Sequence, residues 1–85
     1  CIEKIINDKT LVIDIYAKNE KEFILQVFFR NPHNITQNDI DKIHDIKFEL
    51  IEYDVYKQVR YEAVIEHSSY ENIVALCDKI LESIN

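Results

Sequence analysis

The chain has 85 residues, 47% of them hydrophobic, a single proline and a formal net charge of −6. A length of this order holds one domain, residues 1–85, around one modest core, and the apolar fraction excludes a disordered tail. The negative charge repels phosphate, which sets aside nucleic acid and an anionic membrane surface and leaves a protein partner, a basic one on charge grounds.

Glycine is absent. Phosphate-cradling loops need glycine for tight turns and close backbone approach, so Walker-type and dinucleotide-binding fingerprints are excluded. Tight turns fall instead to asparagine and aspartate, which tolerate left-handed backbone best after glycine. The chain offers Asn7-Asp8, Asn19-Glu20, Asn31 and Asn34 for this role. Two cysteines, Cys1 and Cys77, are too few for a disulfide framework. No run approaches the ~18 apolar residues of a membrane span. The expected compartment is the cytoplasm, although a first-position cysteine also suits a lipidated terminus.

Ile2 to Ile6 suits an edge strand or the last turn of a preceding element, and Asn7-Asp8-Lys9 a turn. Thr10 to Ala17 alternates with the period of a strand, Leu11, Ile13, Ile15 and Ala17 facing one way and Val12, Asp14 and Tyr16 the other. Lys18 to Lys21 reads as a hairpin loop. Glu22 to Arg30 is the next strand, with Phe23, Leu25, Val27 and Phe29 opposed to Ile24, Gln26, Phe28 and Arg30. Asn31-Pro32-His33-Asn34 interrupts the pattern.

A helix is predicted over Gln37 to Ile46. Thr36 caps it, Asp39 completes a capping box, and Ile35 with Ile40 forms a hydrophobic staple. Ile40, Ile43 and Ile46 make its narrow apolar side, and Lys47 complements the dipole at its end. Phe48 to Tyr56 and Val59 to His67 form a second hairpin about a turn at Lys57-Gln58. Ile51, Tyr53 and Val55 are assigned to the core face of the first of these strands, and Val59, Tyr61, Ala63 and Ile65 to that of the second. The chain closes on a helix from Ser68 to Asn85, whose apolar stripe is Tyr70, Ile73, Val74, Cys77, Ile80, Leu81 and Ile84. Ser68 is its expected cap, with Glu71 as the box residue. The order is (β)ββαββα, an α+β domain with a four- to five-stranded antiparallel sheet and both helices on one face.

That arrangement leaves the second sheet face uncovered. On these assignments it carries Val12, Tyr16, Ile24, Phe28, Phe48, Leu50, Tyr56 and Val64 among Asp14, Gln26, Arg30, Glu52, Asp54, Arg60, Glu62 and Glu66. A fully solvated face is more uniformly polar than this. An aromatic zone beside an acidic zone suits a protein-binding surface, and Tyr16, Phe28, Phe48, Leu50, Glu52, Asp54, Tyr56, Glu62 and Glu66 are the candidate contact residues. Homodimerisation is the simplest use of such a face.

The candidates for chemistry are weaker. Cys77 lies mid-stripe and reads as a small buried hydrophobe. His33, His44 and His67 are scattered, and the Asp41/His44 pair has the i, i+3 spacing of a surface contact more than of a metal site. Glu52, Asp54, Glu62 and Glu66 share a face, but a sheet this small offers no evident cleft to desolvate one of them for acid–base work. Asn34-Ile35-Thr36 fits a glycosylation sequon and reads as a helix cap.

The expectation is a non-enzymatic, acidic protein-interaction domain of inhibitor, immunity or chaperone type, without cofactor or metal. One alternative is an acidic DNA mimic that blocks a nucleic-acid-binding protein. Another is a small-ligand sensor or enzyme with a site between sheet and helices, lined by Tyr53, Tyr61 or His67.

Overall fold

The computed structural model describes residues 2–53 and 58–84. Its elements run β1 (Ile2–Ile6), β2 (Lys9–Ala17), β3 (Glu22–Phe29), α1 (Gln37–Asp41), β4 (Glu49–Tyr53), β5 (Gln58–Glu66) and α2 (Tyr70–Ile84). The strands form one antiparallel sheet in the order β1-β2-β3-β5-β4. The fold is α+β in the predicted order, and Ile2–Ile6 is the edge strand rather than a terminal turn.

Asparagine and aspartate do the work of the missing glycines. Asn7 (φ 49°) and Asp8 (φ 66°) are the two residues between Ile6 and its partner Lys9. Positive φ at both central positions is what a type I′ hairpin turn requires. Asn19 closes the next loop by accepting the Lys21 backbone N–H at 2.8 Å. A further left-handed residue, Asp45 (φ 69°), was not among the expected turn positions.

The alternation of β2 and β3 sorts as expected. Leu11, Ile13, Leu25, Val27 and Phe29 are buried on one face, joined by Ile6 and Tyr61. Both helices close this side, through Ile35, Ile40 and Ile43 around α1 and Cys77, Ile80 and Ile84 on α2.

α1 is shorter than predicted. The capping box at Thr36 and Asp39 forms as read, and both staple residues are buried. After Asp41, however, Lys42 donates to the Asp39 carbonyl and Ile43 to that of Ile40 in tight i+3 turns, and Asp45, two residues further on, is left-handed. A single turn of helix has few hydrogen bonds with which to propagate. Ile43 and Ile46 still reach the core from non-helical backbone, and Lys47 stands beyond any helix end it could complement.

α2 starts one residue later than its expected cap. Ser69, not Ser68, accepts the Asn72 backbone N–H, at 3.3 Å. Tyr70 opens the helix in solvent instead of joining the stripe, and Leu76 packs against the core although it was not assigned there.

The β4 assignment requires the main correction. Leu50 pairs with Tyr61 and Ile51 with Arg60. Directly paired residues share a face, so Leu50 lies on the helix side and Ile51 on the other, the reverse of the expectation. Gln58 belongs to β5 and pairs with Tyr53, so the turn does not sit at Lys57-Gln58. Val55 and Lys57 lie outside the described residues.

Candidate functional site

The uncovered sheet face is arranged in cross-strand rows. At one end Glu22 faces Glu66. Next comes an apolar row, Tyr16 opposite Ile24 opposite Val64. A polar row follows, Asp14 opposite Gln26 opposite Glu62 opposite Glu49. Beyond it lie Glu3, Val12 and Phe28, with Arg60 and Ile51 on the far strands.

The centre of this face is dry although no helix lies over it. Gln26 is 3% exposed and Phe28 6%. Arg60 is the lid: its guanidinium sits 3.9 Å above the Phe28 ring. Its Nε donates to Gln58 Oε1 at 2.8 Å and its Nη1 to Gln26 Oε1 at 3.1 Å. Gln26 in turn donates through Nε2 to Glu62 Oε2 at 2.6 Å and to the Tyr16 hydroxyl at 3.3 Å. Gln58 Nε2 donates to the Phe29 carbonyl at 3.0 Å, and Asn34 Oδ1 accepts the Val59 N–H at 3.2 Å, extending the ladder where β3 turns away. An Arg30–Glu3 ion pair spans from the end of β3 to β1 beside Val12. Long side chains thus shield a second, small apolar cluster of Val12 and Phe28.

The apolar row is open by contrast. Tyr16 is 45% exposed and Val64 49%, with Ile24 partly buried between them. Carboxylates flank it on both sides, Glu22 and Glu66 on one and Asp14 and Glu62 on the other. The ion pairs among the described residues join Arg30 to Glu3, Lys42 to Asp39 and Lys79 to Asp45, and none engages these four acids.

The structure divides the predicted contact residues. Tyr16, Glu62 and Glu66 share the uncovered face, and Phe28 lies on it but beneath Arg60. Phe48 packs against the main core, and Leu50 is 51% exposed on the helix side, beside Tyr61. Asp54, Tyr56 and the Glu52 side chain lie outside the described residues. Ile24 and Val64 were placed on the face but not among the contacts. The signal for them was register: once β2, β3 and β5 are neighbours, alternation alone aligns them with Tyr16.

A second concavity, of ≈ 720 Å³, lies between the first half of α2 and the sheet, with Ile13, Ile15, Phe23, Ile73, Val74 and Cys77 on its walls. His67 stands at its rim, stacked on Phe23 with ring centroids 4.6 Å apart. Tyr61 is buried elsewhere and donates to Gln37 Oε1 at 3.3 Å. Burial pushes the Cys77 thiol up from its ordinary pKa, with Asp78 adding to the effect. Burial likewise raises the Tyr61 phenol, with Asp41 adding to it. Neither is an activated group. The Asp41/His44/Asp45 cluster is dispersed, Asp41 accepting from Gln37 and Asp45 pairing with Lys79. Among the described residues no three His, Cys, Asp or Glu side chains gather to hold a metal, and no helix is long and apolar enough to cross a membrane.

Comparison of the chain with protein-family models, curated proteins and solved structures returned no match.

Proposed function

We propose that the chain is a non-enzymatic interaction domain that binds a partner protein through its uncovered sheet face. One observation carries this reading: Tyr16, Ile24 and Val64 form an exposed apolar row on three neighbouring strands, between two rows of carboxylates. An apolar centre with a charged rim is the anatomy of a protein interface, and tyrosine is a favoured anchor. Arg60 and Gln26 hold the adjoining surface in one arrangement, which lowers the entropy lost on binding. The acidic rim selects a basic partner and speeds its approach. A second copy stacked row on row would set carboxylates against carboxylates, so the partner we propose is a different, basic protein. An inhibitor, immunity or chaperone role fits this description.

The test is affinity capture from the cells that make the protein, with wild type and Val64→Asp as baits. Val64 is half exposed, so the variant is expected to fold, and an unchanged far-UV dichroism spectrum checks this. Capture of the partner is expected to fall at least tenfold, and undiminished capture overturns the reading.

The concavity under α2 favours a second reading, a small apolar ligand held between helix and sheet with His67 at the mouth. Its check is a thermal-shift screen with medium-chain amphiphiles. Stabilisation that Ile73→Trp abolishes would support a ligand site.

A further inference from the structure

We propose that the partner element seated on this face is a basic amphipathic helix lying across the strands. The proposal rests on the sheet face being the interaction surface. Three features of the face point to a helix. The apolar row lies on β2, β3 and β5, three neighbouring strands of the sheet. The ladder to β1 ends at Ile13 and the ladder to β4 at Glu62, so at the level of the row β3 is the strand flanked on both sides, and a partner that covers all three residues must lie over the face and dock through side chains.

The row also runs perpendicular to the strands. With neighbouring strands about 4.8 Å apart, Tyr16, Ile24 and Val64 span about 10 Å, two turns of a helix at about 5.4 Å each. The flanking acids are two residues away along each strand, about 6.6–7 Å on either side of the row. A helix with side chains is about 10–12 Å across. Its apolar stripe can therefore rest on the row while cations on its two flanks reach Glu22 and Glu66 on one side and Asp14 and Glu62 on the other.

Charge fixes the sign of the occupant. The four flanking acids form no ion pair with a described lysine or arginine, and Arg60 is turned over Phe28, one row further on. An apolar stripe between two basic flanks is complementary to this surface, whereas the chain's own α2, with Glu71, Asp78 and Glu82 exposed, is not.

The probe is a fluorescein-labelled 18-residue peptide of leucine and lysine with helical period, titrated by anisotropy against the folded chain at low salt. Val64→Asp is expected to weaken binding at least tenfold. Glu22→Lys with Glu66→Lys is expected to weaken it at least fivefold more than Glu71→Lys with Glu82→Lys, the same charge change on α2. A peptide of the same composition with scrambled period is expected to bind at least tenfold more weakly. Equal binding of the scrambled peptide, or equal effects of the two charge pairs, overturns the proposal. The captured natural partner separates this from the broader reading. If Val64→Asp abolishes its capture but the helical peptide does not compete with it, the helix fails and the surface stands. If Val64→Asp leaves capture intact, both fail.

Discussion

Phe28 stays dry on an open sheet face because Arg60 covers it and is itself held by Gln58 and Gln26. A guanidinium over an aromatic ring contributes on the order of 1 kcal/mol, and the arginine stem adds packing. Arg60→Ala should therefore lower unfolding stability by about 1–2 kcal/mol, seen as a lower urea midpoint. An unchanged midpoint would show that the lid contributes nothing. This burial was not legible in the sequence. Alternation places Phe28 on the outer face, but its cover comes from a residue 32 positions away on β5, and only strand order brings Arg60 beside it.

Cys77 and Tyr61 make a different residue-scale prediction. Both are acids whose pKa is raised in the folded state, chiefly by burial. Folding then holds protons that the unfolded chain releases, so their contribution is complete below the unfolded pKa values and is lost as pH rises through the folded ones. Stability should decline from about pH 8.5 upward, where a free thiol begins to ionise. Urea midpoints at pH 7 and pH 10 check this. Cys77→Ala lowers stability at pH 7 but should show a smaller drop between the two pH values, and an equal drop would remove the thiol from the account.

At the scale of elements, the two long alternating strands and the capping box at Thr36 and Asp39 determined how far the chain could be read. The faces of Leu11 to Phe29 sorted correctly because a period of two over eight or nine residues fixes which residues share a face, even though Val12, Gln26 and Phe28 are buried on the outer one. β4 was misassigned although its own turn contained the answer. In an antiparallel hairpin an even number of connecting residues sets even positions opposite odd ones. The core residues Val59 and Tyr61 therefore call for even partners on β4, and Leu50 opposite Tyr61 meets that rule. At α1 and α2 the errors are of extent: the first helix gives way to i+3 turns directly after Asp41, and Ser69 takes the cap expected of Ser68. α2 nonetheless remains the main cover of the core. Ile80 has no solvent exposure, so Ile80→Asp buries an unpaired charge and should abolish cooperative unfolding, whereas exposed Glu82→Ala should change stability by less than about 0.5 kcal/mol. Far-UV dichroism during urea titration distinguishes the two, and a folded Ile80→Asp protein would mean that α2 is not essential cover.

At the scale of the whole molecule, the sheet is asymmetric. One face is closed by both helices around a continuous core. The other is sealed at its centre by Arg60, Gln26 and Gln58 and open along Tyr16, Ile24 and Val64. That uncovered face was legible as a mixture of apolar and acidic residues, but not its layout in rows, because rows exist only once strand order is known. The layout supports the proposed function by setting an apolar strip between two carboxylate rows across β2, β3 and β5, where a partner that covers all three strands meets side chains. The most direct test is to label the chain with ¹⁵N, titrate it with the captured partner and follow the amide resonances. The account predicts perturbations concentrated at residues 14–16, 22–26 and 62–66. Perturbations concentrated instead at residues 67–77, around the concavity under α2, would contradict it.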